Sequence, residues 1–234
     1  MVRVRISDSL NETGIDLRDY SKMKGRLILQ LLSINEIGQI LDQIPHRKVE
    51  DMVLICRFDL GTANDGLLTA LVTNKFLDLY GIDEKQLFHD AMLVAESNRP
   101  SIINKMDDIL LGLLLEAGVF IDMDWGSSPF YVASVTDGCN GACVICYPGF
   151  LDRAANKIGG DFFILPSSIH EVLLLPDNGM LPKEAPEYLE SMVREVNQTL
   201  APDERLSNMV YHYDSKAKVF ETARHFEARK RLQS

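Results

Sequence analysis

The apolar positions fall into short runs separated by turn residues, and each run has a readable period. RLILQLLSI, Arg26 to Ile34, is continuous and short, which predicts a buried strand, and NEIGQILDQI after it predicts a short helix that Pro45 ends. MVLICRFDL, Met52 to Leu60, is rich in β-formers. GTANDG, Gly61 to Gly66, supplies turn chemistry, and LLTALVT returns as a partner strand. NKFLDLYG predicts a helix closed by Gly81, and a second helix runs from Asp83 to about Ser97. From Ser101, Ile102, Met106, Ile109, Leu110, Leu113 and Leu114 recur at helical spacing, so a helix is expected from Ser101 to Gly118. Leu111 and Leu115 widen its apolar face, which predicts burial in the core in preference to packing on a partner chain. On that expectation Leu110→Ala or Leu113→Ala costs roughly 2–5 kcal/mol.

The second half repeats this grammar. PFYVASVT and ACVICY read as strands around a turn, and GFLDRAANKIGG as a helix. DFFILP and HEVLLLP read as strands, APEYLESMVREVNQTL as an amphipathic helix with Pro186 in its first turn, and MVYHY as a last strand. NDG-LLTALVTNK-FLD and CNG-ACVICYPG-FLD are parallel enough to suggest a duplicated hairpin-plus-helix unit. The expected fold is α+β: hairpin-built, largely antiparallel mixed sheets with helices packed on one side. Residues 1–22 form a polar arm, 23–118 and 119–214 two similar subdomains divided near 118–128, and 215–234 a basic tail or helix.

Composition narrows the function. Across 234 residues, 46% hydrophobic and 25% charged content are globular values, so wholesale disorder is excluded. A net charge of −10 argues against a surface built to grip nucleic acid or anionic lipid. The start, MVRVRISDSLNE, has no apolar signal region, and Ile109 to Leu115 is too short to span a bilayer. Four unevenly spaced cysteines make no disulfide framework. A cytoplasmic protein with reduced thiols is expected.

Cys139, Cys143 and Cys146 have the C-x3-C-x2-C spacing that radical-SAM enzymes use for a [4Fe–4S] cluster. Asp137-Gly138 and Asn140-Gly141 are hairpin turn dipeptides, however, and an extended 142–147 would point Cys143 and Cys146 to opposite faces. Core cysteines in a hairpin are therefore expected, with neither metal nor cofactor.

The tracts GGDFFILPSSIHEVLLLPD, YPGFLDRAANKIGG and VNQTLAPDERLSNMVYHYD resemble an uncharacterised bacterial family catalogued only as a domain of unknown function. The resemblance runs from about Tyr20 to Asp214 and implies a bacterial, cytoplasmic protein, with no activity, cofactor or catalytic residue attached. It also implies that a cysteine in the hairpin is dispensable.

The most chemistry-like stretch is LPSSIHEV, where Ser167, Ser168, His170 and Glu171 interrupt two apolar runs. A serine beside a histidine suggests a nucleophile with its base, yet neither a G-x-S-x-G elbow nor an H-E-x-x-H helix accompanies it. The alternative is a β-corner whose hydroxyls satisfy loose backbone groups, with His170 hydrogen-bonded. If there is a catalytic site, His170, Ser168 and Asp214 are its candidates, and His212, Tyr213 or Asp214 must reach His170. The tail from Ser215 carries six Lys/Arg against two Glu, and Val219, Phe220, Ala223 and Phe226 suggest a basic amphipathic helix. Docking on the acidic body is favoured there over contact with nucleic acid. The leading expectation is a non-enzymatic binding or regulatory protein with a protein or small-molecule partner, a homo-oligomer included, and no membrane. The alternative is a hydrolase-like enzyme centred on His170, and the third reading is nucleic-acid contact through the basic tail.

Overall fold

A computed structural model of the chain describes residues 15–63, 66–116, 128–179 and 185–233. Most of the expected arm, the Asn64–Asp65 turn centre, the helix end at Gly118 and nearly all of the boundary near 118–128 lie outside the described residues. The fold is α+β, with two antiparallel sheets.

After a single turn α1 (Tyr20–Met23), the first sheet is laid down by β1 (Leu27–Ser33), β2 (His46–Val49), β3 (Met52–Ala63) and β4 (Gly66–Leu71), with the short α2 (Ile34–Ile37) following β1. β3 is long enough to carry β1 on one side and, on the other, β2 along its first half and β4 along its second. The register slips between Asp59 and Thr62, where Gly61 takes φ +98° and its N–H is held by the Asp59 carboxylate at 2.7 Å. α3 (Asn74–Tyr80) ends at Gly81 in the left-handed region, and α4 (Glu84–Asn98) starts on Asp83, whose carboxylate accepts from the Gln86 N–H at 2.8 Å. Leu87, Phe88, Ala91 and Ala95 form the buried stripe of α4, which packs on β1.

The second sheet has the order β10-β9-β7-β8-β6-β5 and includes β5 (Ser101–Lys105), β6 (Tyr131–Val135), β7 (Phe162–Pro166) and β8 (Val172–Pro176). Its far edge is the hairpin of β9 (Tyr211–Asp214) and β10 (Val219–Thr222). Along β7 the side chains alternate: Phe162 and Ile164 join the main core, which draws on both sheets from Ile15 to Tyr213. Phe163 and Leu165 face a second cluster with Leu189 and Val193 of α7 (Ala185–Thr199) and Ala223 of α8 (Ala223–Gln233).

Three local expectations are corrected. Ser101–Lys105 is a strand, not the first turn of a helix: it pairs with β6 from Ser101↔Val135 to Lys105↔Tyr131, and α5 runs only from Met106 to Glu116. Ile102 and Ile103 suit a strand as well as a helix, and the open edge of β6 decides between them. ACVICY is not a strand either. β6 already has β5 and β8 on its two sides, so the following chain finds no ladder to join. It winds instead into a 3₁₀ helix, Gly141–Cys146, launched by Asn140 at φ +54° and followed by α6 (Phe150–Ile158). LLTALVT and ACVICY, matched by sequence, thus fold differently. Lastly, Val219 and Phe220 belong to β10 and not to the tail helix.

Candidate functional site

The polar cluster at His170 is the corner between β7 and β8. The N–H groups of Ser167 and Ser168 both donate to the Glu171 carbonyl at 3.3 Å, and the Ser168 hydroxyl accepts from the His170 N–H at 3.0 Å. His170 Nδ1 accepts from the Asn140 backbone N–H at 3.1 Å, which fixes the neutral ring's proton on Nε2. Its carbonyl accepts from the Ser134 hydroxyl at 2.8 Å, and Ala142 N–H donates to Ile169 O at 3.2 Å. The corner therefore fastens the 3₁₀ helix to β6, with the Ser168 and Ser134 hydroxyls on backbone groups and the Ser167 hydroxyl donating to the Glu171 carboxylate at 3.3 Å.

His170, Ser168 and Asp214 do not converge. β9 pairs with β7 as Phe162↔Tyr213, Phe163↔His212 and Ile164↔Tyr211, so Asp214 lies beyond the Phe162 end of β7 while His170 lies beyond the Pro166 end. The five residues of β7 alone span on the order of 16 Å. The three proposed partners of His170 are engaged elsewhere: Tyr213 with Asp152 at 2.5 Å, Asp214 with Arg229 at 3.0 Å, and His212 with Asp177 at 3.1 Å.

The His212–Asp177 pair had no signal in the sequence, because PDNG after β8 reads only as a turn. His212 is wholly buried, with the Phe226 ring stacked on it at 3.5 Å between centroids and Phe163 set edge-on at 4.9 Å. Its Nδ1 has no partner among the described residues. The hydrogen bond from His212 holds the Asp177 carboxyl below the usual range against the opposing effect of burial, helped by the Gly179 N–H and the charge of Lys230. Phe226 comes from α8, and α8 is pinned by Arg224 to Glu190 at 2.9 and 2.5 Å and by Arg229 to Asp214 and Glu221. Those arginines of the basic tail are thus docked on the acidic body.

Cys139 and Cys143 lie near a buried cation, Arg99. Arg99 donates to the Asp137 carboxylate and the Cys139 carbonyl, while its Nε and Nη1 have no partner among the described residues. Burial pushes the Cys143 thiol up to about 11, although the Tyr147 hydroxyl and Arg99 both pull it down. Burial raises Cys56 and Cys146 further. Such thiols stay protonated at neutral pH and are poor ligands. With three residues per turn, Cys143 and Cys146 lie on one side of the 3₁₀ helix, so the expected opposite faces are corrected. Among the described residues no three His, Cys, Asp or Glu side chains are grouped to hold a metal ion.

Two shallow grooves flank the first turns of α4, with volumes of about 600 and 560 Å³. They share Asp83 and Gln86; the first has the Arg47 guanidinium over the Phe88 ring at 4.4 Å, and His170 lines neither.

The α5 leucines overturn the expectation of a buried face. Leu110, Leu111 and Leu113 are 50, 57 and 58% exposed. Once Ser101–Lys105 is taken by the sheet, α5 starts five residues late, beside the edge strand β5, and no sheet or helix among the described residues covers these three leucines. Leu110→Ala and Leu113→Ala therefore lose the basis for a core-truncation cost.

The chain belongs to a family of unknown function (DUF5688), whose model matches residues 4–215; β10 and α8 lie beyond the match. No curated protein and no solved structure matches it significantly. No helix among the described residues is long and apolar enough to cross a membrane.

Proposed function

We propose that this member of a family without an assigned activity is a non-enzymatic binding protein that works by holding another polypeptide against α5. The observation that carries this is the exposure, by half or more, of three leucines on one eleven-residue helix. Single exposed leucines are ordinary, whereas a contiguous apolar patch marks an interaction surface. Eleven helical residues reach only about 16 Å, roughly half the hydrocarbon thickness of a bilayer. A net charge of −10 disfavours anionic lipid and nucleic acid as occupants. Chemistry at His170 has less support, since Nδ1 is taken by a backbone N–H. Contact with nucleic acid through the tail competes with the ion pairs of Arg224 and Arg229.

The test is fluorescence of an environment-sensitive apolar dye with the intact protein and with Leu110→Ser/Leu113→Ser, near-UV circular dichroism confirming that both are folded. Enhancement by the native chain that falls by more than half in the variant is expected. No enhancement, or equal enhancement in both, overturns the reading.

A further inference from the structure

We infer that α8 is a detachable strap over the buried His212–Asp177 pair, held shut mainly by charge and able to leave while the rest of the fold stays intact. Between Ala223 and Leu232 only Ala223 and Phe226 are buried, and Leu232 is 89% exposed. Ala223 alone joins the second apolar cluster, whereas Phe226 packs on the His212 ring and belongs to no apolar cluster. A helix of eleven residues is marginal by itself, and one that keeps so little apolar surface from water lies at the low-stability end of a fold.

Charge supplies the rest of the hold. The strap carries Arg224, Arg229, Lys230 and Arg231 against one acid, Glu227, in a chain whose net charge is −10. Acids from four places meet it. Glu190 of α7 takes Arg224 at 2.9 and 2.5 Å, while Asp214 of β9 and Glu221 of β10 take Arg229 at 3.0 and 2.7 Å. The charge of Lys230 reaches Asp177, just past β8, and its Nζ lies 4.7 Å from the centre of the Phe226 ring. The Arg224 side chain is 56% exposed, so salt weakens its attraction.

The imidazole beneath the strap favours opening as well. With Nε2 bonded to the Asp177 carboxylate, the neutral ring has its proton there and a bare lone pair on Nδ1. That lone pair is buried and has no partner among the described residues, a cost that persists only while Phe226 covers the ring. Water reaching Nδ1 on opening recovers the missing hydrogen bond. The pair lies within the residues matched by the family model, and the strap lies beyond them. Opening thus presents a hydrogen-bond acceptor, oriented by a carboxylate, beside the Phe163 ring.

Carbethoxylation of the full chain by diethyl pyrocarbonate at about pH 7, mapped by peptide mass spectrometry, reads the exposure of Nδ1. His89, exposed on α4, is the internal reference, and alkylation of Cys56, buried in the main core, reports unfolding of the whole. In about 0.05 M NaCl, His212 should react at least ~100-fold more slowly than His89. Raising NaCl to about 0.5 M should speed His212 by about threefold or more, with His89 changed less than about twofold and Cys56 still protected. Arg224→Gln/Arg229→Gln should speed His212 by about tenfold or more at low salt and remove most of the salt effect. A native His212 rate that ignores salt, or a variant rate equal to the native one, overturns the inference. So does a His212 that opens only together with Cys56, because α8 then leaves only with the whole fold. A His212 as reactive as His89 at low salt overturns it too, since no strap would then cover the ring.

Discussion

Gly141→Ala should be the most destabilising single-methyl addition in the described chain, and its size can be worked out from three distances. A Cβ built on Gly141 would lie 2.1 Å from Ser134 Oγ, 2.6 Å from the His170 carbonyl oxygen and 2.7 Å from the Val135 backbone nitrogen. The Ser134 hydroxyl can swing away only by giving up its 2.8 Å bond to His170 O, which forfeits about 1 kcal/mol. The other two atoms are backbone. Val135 is the last residue of β6, opposite Ser101, and His170 lies in the corner where Ile169 receives the Ala142 N–H. Neither can yield without shifting an element, and overpacking of this kind costs about 1–3 kcal/mol.

Together the loss comes to roughly 2–4 kcal/mol, or a melting-temperature drop on the order of 10 °C for a chain of this length. Urea unfolding followed by far-UV circular dichroism should show a lower midpoint with an unchanged m-value. Ser134→Ala should cost about 1 kcal/mol alone, and Gly141→Ala should remain destabilising in that background because the backbone contacts persist. Gly112→Ala is the control: nothing lies within 4 Å of its added methyl, so it should stabilise by about 0.5–1 kcal/mol. A Gly141→Ala midpoint matching the native chain to within about 0.5 kcal/mol would refute the reading of Gly141 as a close-packing point, as would a loss wholly reproduced by Ser134→Ala.

Three further outcomes can be checked separately. Because the His212 hydrogen bond holds Asp177 below its ordinary range, its stabilisation is present above about pH 4 and lost as pH falls through the lower folded value. Urea midpoints taken from about pH 6 to 2.5 should therefore fall less steeply for Asp177→Asn. Tyr211, fully buried, donates its hydroxyl proton to Asp51 and lies 2.8 Å from Ser207, so Tyr211→Phe should lower stability by about 1–3 kcal/mol in a thermal melt. With a thiol reagent at pH 8, Cys139 should react first and Cys139→Ser should remove the fast phase, since burial raises Cys56, Cys143 and Cys146 above the ordinary thiol range.

Where the sequence carries a local cause, the structure follows it. Gly81 closes α3 because only a residue tolerant of φ +65° suits that position, and Asp83 starts α4 because its carboxylate can reach the Gln86 N–H. The hairpin of β3 and β4 was likewise written in its turn residues. The errors share a different cause. ACVICY has a strand's composition, but a strand needs a neighbour, and both sides of β6 were filled by residues 26 or more positions away. His212 and Asp177 are 35 residues apart, and their pairing needs the β7–β8 hairpin to form first and β9 to add beside it. The corner at His170 was half legible: hydroxyl bonding to the backbone was foreseen and holds for Ser168, but the Glu171 carboxylate that takes the Ser167 hydroxyl and the Asn140 N–H that takes up the imidazole were not.

The α5 stretch shows why hydrophobic period identifies a surface without locating it. The pattern of Leu110, Leu113 and Leu114 states which side chains avoid water, and a core or a second helix imposes the same pattern. What separates the two is supplied by neighbours. The neighbour is β5, which ends the sheet and leaves the helix beyond its edge. A core position would also have been free to place a charge at any point of the outer face. Here the acids stand at the two ends, Asp107 and Asp108 before the leucines and Glu116 after them, which suits a helix that is bare along its middle. The leucines were read as core positions, and their exposure corrects that reading: the period named the apolar side chains but not the surface they meet.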